Sequence, residues 1–180
     1  MKTVLPVICG LFLAFSSAAQ REFIMWPTDA NTNKIVFTES VYRSETNVAT
    51  LYANARKFAT NNFKGEKDII ILNDTTKTIT CKSAFFIPVD ELGERGKGYI
   101  SFTLAVWCHN NSYKYNLTDL EHFPLHSNCV VGGPLENEKA ASNAMLFPPR
   151  YWNAQKAKCY YRIQTTIEKL KQAMAAEAES

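Results

Sequence analysis

Two apolar stripes of helical period bracket a run of strand-forming segments, and this arrangement limits the fold more than any other feature. In "SETNVATLYANARKFATNNFKG", Val48, Leu51, Tyr52, Ala55, Phe58 and Ala59 recur at the spacing of one buried helix face. Thr46 or Asn47 suits the N-cap, where a side-chain oxygen accepts an orphan backbone N–H. Gly65 follows as a stop signal. The second stripe passes through Trp152, Ala157, Tyr160, Ile163, Ile167, Leu170 and Met174, then frays after Ala175 into a short acidic tail at 176–180. Stripes this apolar need a partner surface, because helices draw most of their stability from packing such a face.

The segments between them supply that surface. "KIVFTESVYR" at 34–43 alternates apolar with polar residues and is rich in β-branched and aromatic types, which argues for a strand ahead of the first helix. "KDIIILND", nearly all apolar, reads as a strand covered on both faces. "KTITCKSAFFIPV", "YISFTLAVWCHN" and "SYKYNLTDLEHF" continue the strand character. The polar, glycine-rich "DELGERGKG" joins the first two of these three as a hairpin loop. "NNS" joins the next pair as a tight turn, since asparagine tolerates positive φ. In the last strand Tyr113, Tyr115, Leu117 and Leu120 alternate with polar neighbours apart from one break near Thr118.

The expected order is strand, helix, four antiparallel strands, a long excursion at 124–150 and a closing helix. The fold class is therefore α+β: an antiparallel sheet of about five strands, with two helices packed on one face and the other face wet. The excursion, "PLHSNCVVGGPLENEKAASNAMLFPPR", has no sustained period, and a short turn of helix is expected around Glu136–Ala144. A loop this long in a small domain needs fastening or a function.

The first residues carry one lysine, an apolar run from Val4 to Phe15 and small residues at Ser16–Ala19. That is the layout of a secretory signal peptide, residues 1–19, cleaved near Ala19. The run is shorter than the ~20 apolar residues of a transmembrane helix. It continues well past Cys9, which argues against a lipid anchor there. Residues 20–175 have the size of a single domain, exported to the periplasm or the cell exterior. The formal charge of +3 is scattered among acids, so there is no basic stripe to bind nucleic acid.

Export sets the expectation for the cysteines. Cys81, Cys108, Cys129 and Cys159 form an even set after the leader, and oxidising compartments favour disulfides, with three connectivities open. A hairpin centred near Leu92–Gly93 sets Cys81 opposite residues 104–106, within a few positions of Cys108, so Cys81–Cys108 is one expected pair. Cys129–Cys159 would fasten the excursion to the last helix, closing a loop of about 30 residues worth ~3 kcal/mol. Free buried thiols are the alternative.

Reactive constellations are sparse. His122, His126 and Cys129 stand as H-x3-H-x2-C in "LEHFPLHSNC". Zinc takes four ligands, usually from compact pairs. Pro124 breaks any helix that would align the two histidines, and no second ligand pair is near. The sequence holds no G-x-S-x-G elbow, no H-E-x-x-H and no glycine-rich phosphate loop. Asp90, Glu91 and Glu94 cluster in the hairpin loop. Paired carboxylates cleave glycosidic bonds only when held at a fixed separation, so a solvated charge run is expected instead. No metal, cofactor or catalytic residue is assigned. The aromatic residues offer more: Trp107, Tyr113 and Tyr115, on neighbouring strands, are expected to form one exposed patch, the kind of surface that marks a binding site.

The stretch "FTESVYRSETNVATLYANARKFATNNFKGEKDIIILNDTTKTITCKSAFFI", with "YISFTLAVWC" and "YKYNLTDLEHF", resembles a family of domains of unknown function with a TBP-like fold, found in exported bacterial envelope proteins. Leu51–Tyr52 near the start of a capped helix, Phe58 and Phe63 at its aromatic end, and the strand Tyr113–Leu120 fill the recurring places of that family. The resemblance covers residues 26–123 and extends loosely to the final helix. It implies a fold and an envelope setting, and carries over no catalytic residue. Cys129, Cys159 and the excursion lie outside its pattern.

The expectation is an exported, non-enzymatic binding or interaction module whose partner is another envelope protein, a glycan or a small apolar ligand. The alternative is a hydrolase-like or metal-dependent enzyme with a site built from His122, His126, Glu136 and Glu138 in the 122–138 segment. A third role is assembly, a homodimer formed through an open sheet edge or the aromatic face.

Overall fold

The structure, a computed structural model, describes residues 24–176. The expected signal segment and the end of the acidic tail lie outside these residues. Strand β1 (Phe37–Tyr42) leads into helix α1 (Val48–Asn62), followed by strands β2 (Ile69–Asn73), β3 (Thr78–Phe86), β4 (Gly98–His109) and β5 (Ser112–Pro124). A two-residue strand β6 (Gly133–Pro134) and helix α2 (Pro149–Ala175) complete the chain. The sheet runs β1-β5-β4-β3-β2, antiparallel throughout, with β6 pairing β5 at Glu121 and His122. The α+β class and the four-strand meander agree with the sequence patterns; β6 is an extra strand inside the excursion.

Local chemistry sets the element ends. Asn47 Oδ1 accepts the Thr50 N–H at 2.8 Å and so caps α1. Asn111 takes φ 60° in the two-residue turn between β4 and β5. Asn73 Oδ1 closes the β2–β3 turn by accepting from the Thr75 and Thr76 N–H groups.

Strand alternation then sorts the sheet into two faces. Ile100, Phe102, Leu104, Val106 and Cys108 of β4 are buried, and the register brings Tyr113, Tyr115 and Leu117 of β5 and Ile79 and Cys81 of β3 to the same side. Both helices cover that side. Leu51, Tyr52, Ala55, Phe58 and Ala59 of α1, with Trp152, Cys159, Ile163, Ile167, Leu170 and Met174 of α2, join one core with it. Polar ties fix α2 in place. Glu39 Oε2 accepts from the Tyr115 hydroxyl at 2.9 Å and pairs with Lys171 of α2, and Gln155 Nε2 donates to the Ile87 carbonyl at 2.7 Å.

The break near Thr118 is a β-bulge. Asp119 has φ 58°, and the β4–β5 register shifts between Ser101 and Thr103. An inserted residue reverses the parity of the strand beyond it. Leu117 and Leu120, three apart, therefore both face the core, while Glu121 and Phe123 face the other way.

The excursion departs from expectation. Residues 136–144 form turns and bends instead of a helical turn, because neighbouring elements claim the backbone and side chains. The Leu135 N–H donates to the Leu120 carbonyl, Glu136 Oε1 accepts the Ile35 N–H at 2.8 Å, and the Asn137 carbonyl accepts from Trp152 Nε1 and Lys156 Nζ.

Neither expected disulfide is present: Cys81, Cys108, Cys129 and Cys159 are free and buried. Cys81 does lie opposite Leu104, but that leaves Cys108 four residues further along β4. At strand rise this is about 13 Å, beyond the ~7 Å Cα separation a bridge can span. Cys159 sits within the helix–sheet core, whereas Cys129 Sγ donates to the Glu94 carbonyl at 3.3 Å. Burial pushes the thiols of Cys81 and Cys159 up to about 12 and that of Cys108 up to about 11, which suppresses the reactive thiolate. No helix among the described residues is long and apolar enough to cross a membrane.

Candidate functional site

The expected aromatic patch does not form. Tyr113 and Tyr115 are 1 % and 4 % exposed beneath the helices, while Trp107 is half-buried on the opposite face. Tyr113 pairs with Cys108 and Tyr115 with Val106, so the pleat places Trp107 out of phase with both. Desolvation raises the Tyr113 hydroxyl to about 12. These two tyrosines are core residues with polar tips.

Nor do the four excursion residues converge. His122 is buried, with Nδ1 accepting the Gly132 N–H at 2.8 Å and its ring against Phe147 and Trp152 at 5.9 and 6.2 Å. Desolvation lowers its pKa to about 4. Glu136 serves the Ile35 N–H, and His126 and Glu138 are exposed. In the hairpin loop, Glu94 pairs with Lys97 at 2.7 Å and Asp90 with Lys158 at 3.8 Å. Among the described residues no group of three or more His, Cys, Asp or Glu side chains is placed to hold a metal.

The structure instead assembles a site on the uncovered face of the sheet. Phe86 pairs with Tyr99, and Tyr99 with Phe123, so three rings form one transverse row across β3, β4 and β5. With strands about 4.8 Å apart, the row spans about 10 Å. Tyr99 and Phe123 are stacked at 6.1 Å with 28° between their planes, and Lys67 Nζ lies 5.4 Å from the Tyr99 ring centre. Phe86 is 55 % exposed and has no ring contact among the described residues.

The next row is Ala84, Ser101 and Glu121, followed by Lys82, Thr103 and Thr118. Small Ala84 and Ser101 make a low floor, with rings on one side and longer polar side chains on the other. The Gly65–Asp68 loop and Leu125 complete a cleft of about 690 Å³, within the usual range for ligand pockets. Its charges are mixed. Asp119 is engaged by Lys34 at 3.1 Å, Asp68 Oδ2 by the Gly65 N–H at 2.7 Å and Lys67 by the Tyr99 ring, leaving Glu66, Glu121 and Lys82 free among the described residues. The bulge at Asp119 is what turns Glu121 and Phe123 toward this face.

Sequence patterns alone did not single out Phe86 and Phe123. The consecutive pair Phe85-Phe86 signals one ring in and one out, but the row depends on a register that the strand patterns do not give. Phe85 stacks inward on Phe102 at 4.5 Å, which leaves Phe86 outward.

Comparison with known proteins agrees with the architecture. Residues 37–123 match the family described as a domain of unknown function (DUF4468) with TBP-like fold. Among solved structures, the chain is similar to a TBP-like protein from Parabacteroides distasonis ATCC 8503, at 16 % identity and a TM-score of 0.57, covering 80 % of this chain and 97 % of that one. It is also similar to a DUF4468 family protein from Bacteroides ovatus ATCC 8483, at 12 % identity and a TM-score of 0.57, covering 85 % and 93 %. At such identities the likeness is one of fold. None of the curated proteins matches the sequence. The matched segment contains β1, α1, the meander and all three rings of the row. Residues 37–123 of this chain are thus a domain of the DUF4468 family, with a TBP-like fold.

Proposed function

We propose that this protein is an exported, non-enzymatic binding module that takes its ligand in the cleft on the uncovered sheet face. The leader-like pattern of the first 19 residues supports export to the periplasm or beyond. The observation that carries the binding role is the solvent-facing row Phe86–Tyr99–Phe123 beside a low polar floor. Among the described residues no helix or strand covers these rings, and exposed apolar patches rimmed by polar groups mark interaction sites. The cleft's acidic side chains point against nucleic acid as the partner.

Two measurements test this. Crystals soaked with a library of small aromatic and polyol fragments should show density between the aromatic row and Glu121; hits confined to other surfaces would reject the cleft. Mass spectrometry of the protein recovered outside the cytoplasm should give an N-terminus near Gln20, whereas an intact Met1 would reject export.

A further inference from the structure

Resting on that cleft as the binding site, we infer that its ligand is a neutral oligosaccharide, stacked on the Phe86–Tyr99–Phe123 row with its hydroxyls directed at Ser101, Glu121 and Thr103. A pyranose ring has one weakly polar C–H face and a rim of hydroxyls. It is recognised by an aromatic ring below and by mixed donors and acceptors at the side. The cleft offers this combination in fixed register: rings in one row, then a hydroxyl and a carboxylate in the next, about 7 Å along the strands. A free carboxylate accepts two hydroxyl hydrogen bonds at once, and serine and threonine both donate and accept. The row's length of about 10 Å spans more than one sugar ring.

Other occupants fit less well. The floor is made of β3, β4 and β5; β4 is paired along both sides, and β3 lacks an outer partner only over Ser83–Phe86, beyond the end of β2. An extended peptide recognised by strand addition would have only that four-residue edge, at the margin of the aromatic row and not across it. An anionic ligand would face Glu66, Asp68, Asp119 and Glu121 against Lys67 and Lys82. A cation seeking the central ring finds Lys67 already over it. A neutral polyol is opposed by none of these charges.

The test is calorimetric titration of the full chain with neutral gluco-, xylo- and manno-oligosaccharides and with an oligogalacturonate, beside the Phe86→Ala, Phe123→Ala and Glu121→Gln variants. Thermal melting shows whether each variant is folded; all three changes are at solvent-facing positions. Saturable binding of a neutral oligomer is expected, weakened about tenfold or more by each ring removal, and the uronate should bind more weakly than its neutral counterpart. Glu121→Gln should weaken the neutral sugar while narrowing its advantage over the uronate. If fragments occupy the cleft but no neutral oligosaccharide binds, the sugar assignment falls and the cleft stands. If neither binds, both fall. Sugar binding untouched by the ring variants also overturns the assignment.

Discussion

His122 Nδ1 accepts the backbone N–H of Gly132 at 2.8 Å, and this bond ties the excursion to the end of the sheet beside the β5–β6 pairing. An accepting Nδ1 leaves the neutral ring's proton on Nε2, which is buried without a hydrogen-bond partner. Gly98 packs so close that a Cβ there would collide with Nε2. Charging the ring would put a second proton between Nδ1 and a donor, in an apolar cage of Phe147 and Trp152.

Stability should therefore fall with acid. The folded pKa of about 4 lies below the unfolded value of 6.5. The unfolded chain then binds a proton that the folded chain refuses, so stability is full above about pH 6.5 and is lost as pH falls toward 4. The loss approaches roughly 3 kcal/mol at the lower limit. His122→Asn, whose Oδ1 can still accept from Gly132, should flatten this part of the urea-denaturation profile. Parallel profiles for both proteins would contradict the assignment.

Gly132 should not tolerate a side chain. A Cβ there would overlap the Trp152 ring and come within 2.8 Å of the His122 Cβ, and both neighbours are locked in the core. Gly132→Ala should cost about 1–3 kcal/mol by overpacking, seen as a lower urea midpoint at unchanged slope. An unchanged midpoint would mean that the excursion is free to move aside.

The thiols should be silent in the native state. With Cys81, Cys108 and Cys159 buried and their ionisation suppressed, a thiol reagent at pH 8 should label them only after unfolding. Reductant should leave the melting temperature unchanged. A drop of several degrees on reduction would show that a disulfide stabilises the fold after all.

Removing the hydroxyl in Tyr115→Phe should cost about 1 kcal/mol, because Glu39 loses a charge-assisted bond while keeping Lys171. Thermal denaturation reads this directly; no change would mean that Lys171 alone holds the carboxylate.

The range of each interaction decides how much of the molecule was legible in the sequence. Helix α1 was readable because its stripe and its Asn47 cap are local. The Cys81–Leu104 register was readable because one hairpin loop fixes it. The aromatic site was not, because a face is a matter of parity between strands. Trp107 is adjacent in sequence to Cys108 yet faces away from Tyr113, which pairs with that cysteine. Phe123 reaches the open face only through the bulge at Asp119, a feature that showed in the sequence merely as a lapse in alternation. The excursion was opaque because its contacts, Glu136 to Ile35 and Leu135 to Leu120, join distant segments.

Everything proposed about binding turns on the uncovered sheet face, and not the excursion or the helices, being where this protein meets its ligand. Backbone amide shift mapping during titration with the neutral oligosaccharides tests it most directly. Perturbations confined to Gly65–Asp68, Lys82–Phe86, Tyr99–Thr103 and Asp119–Leu125 are predicted. Shifts clustered on α1 and α2, or around His126 and Glu138, would contradict it.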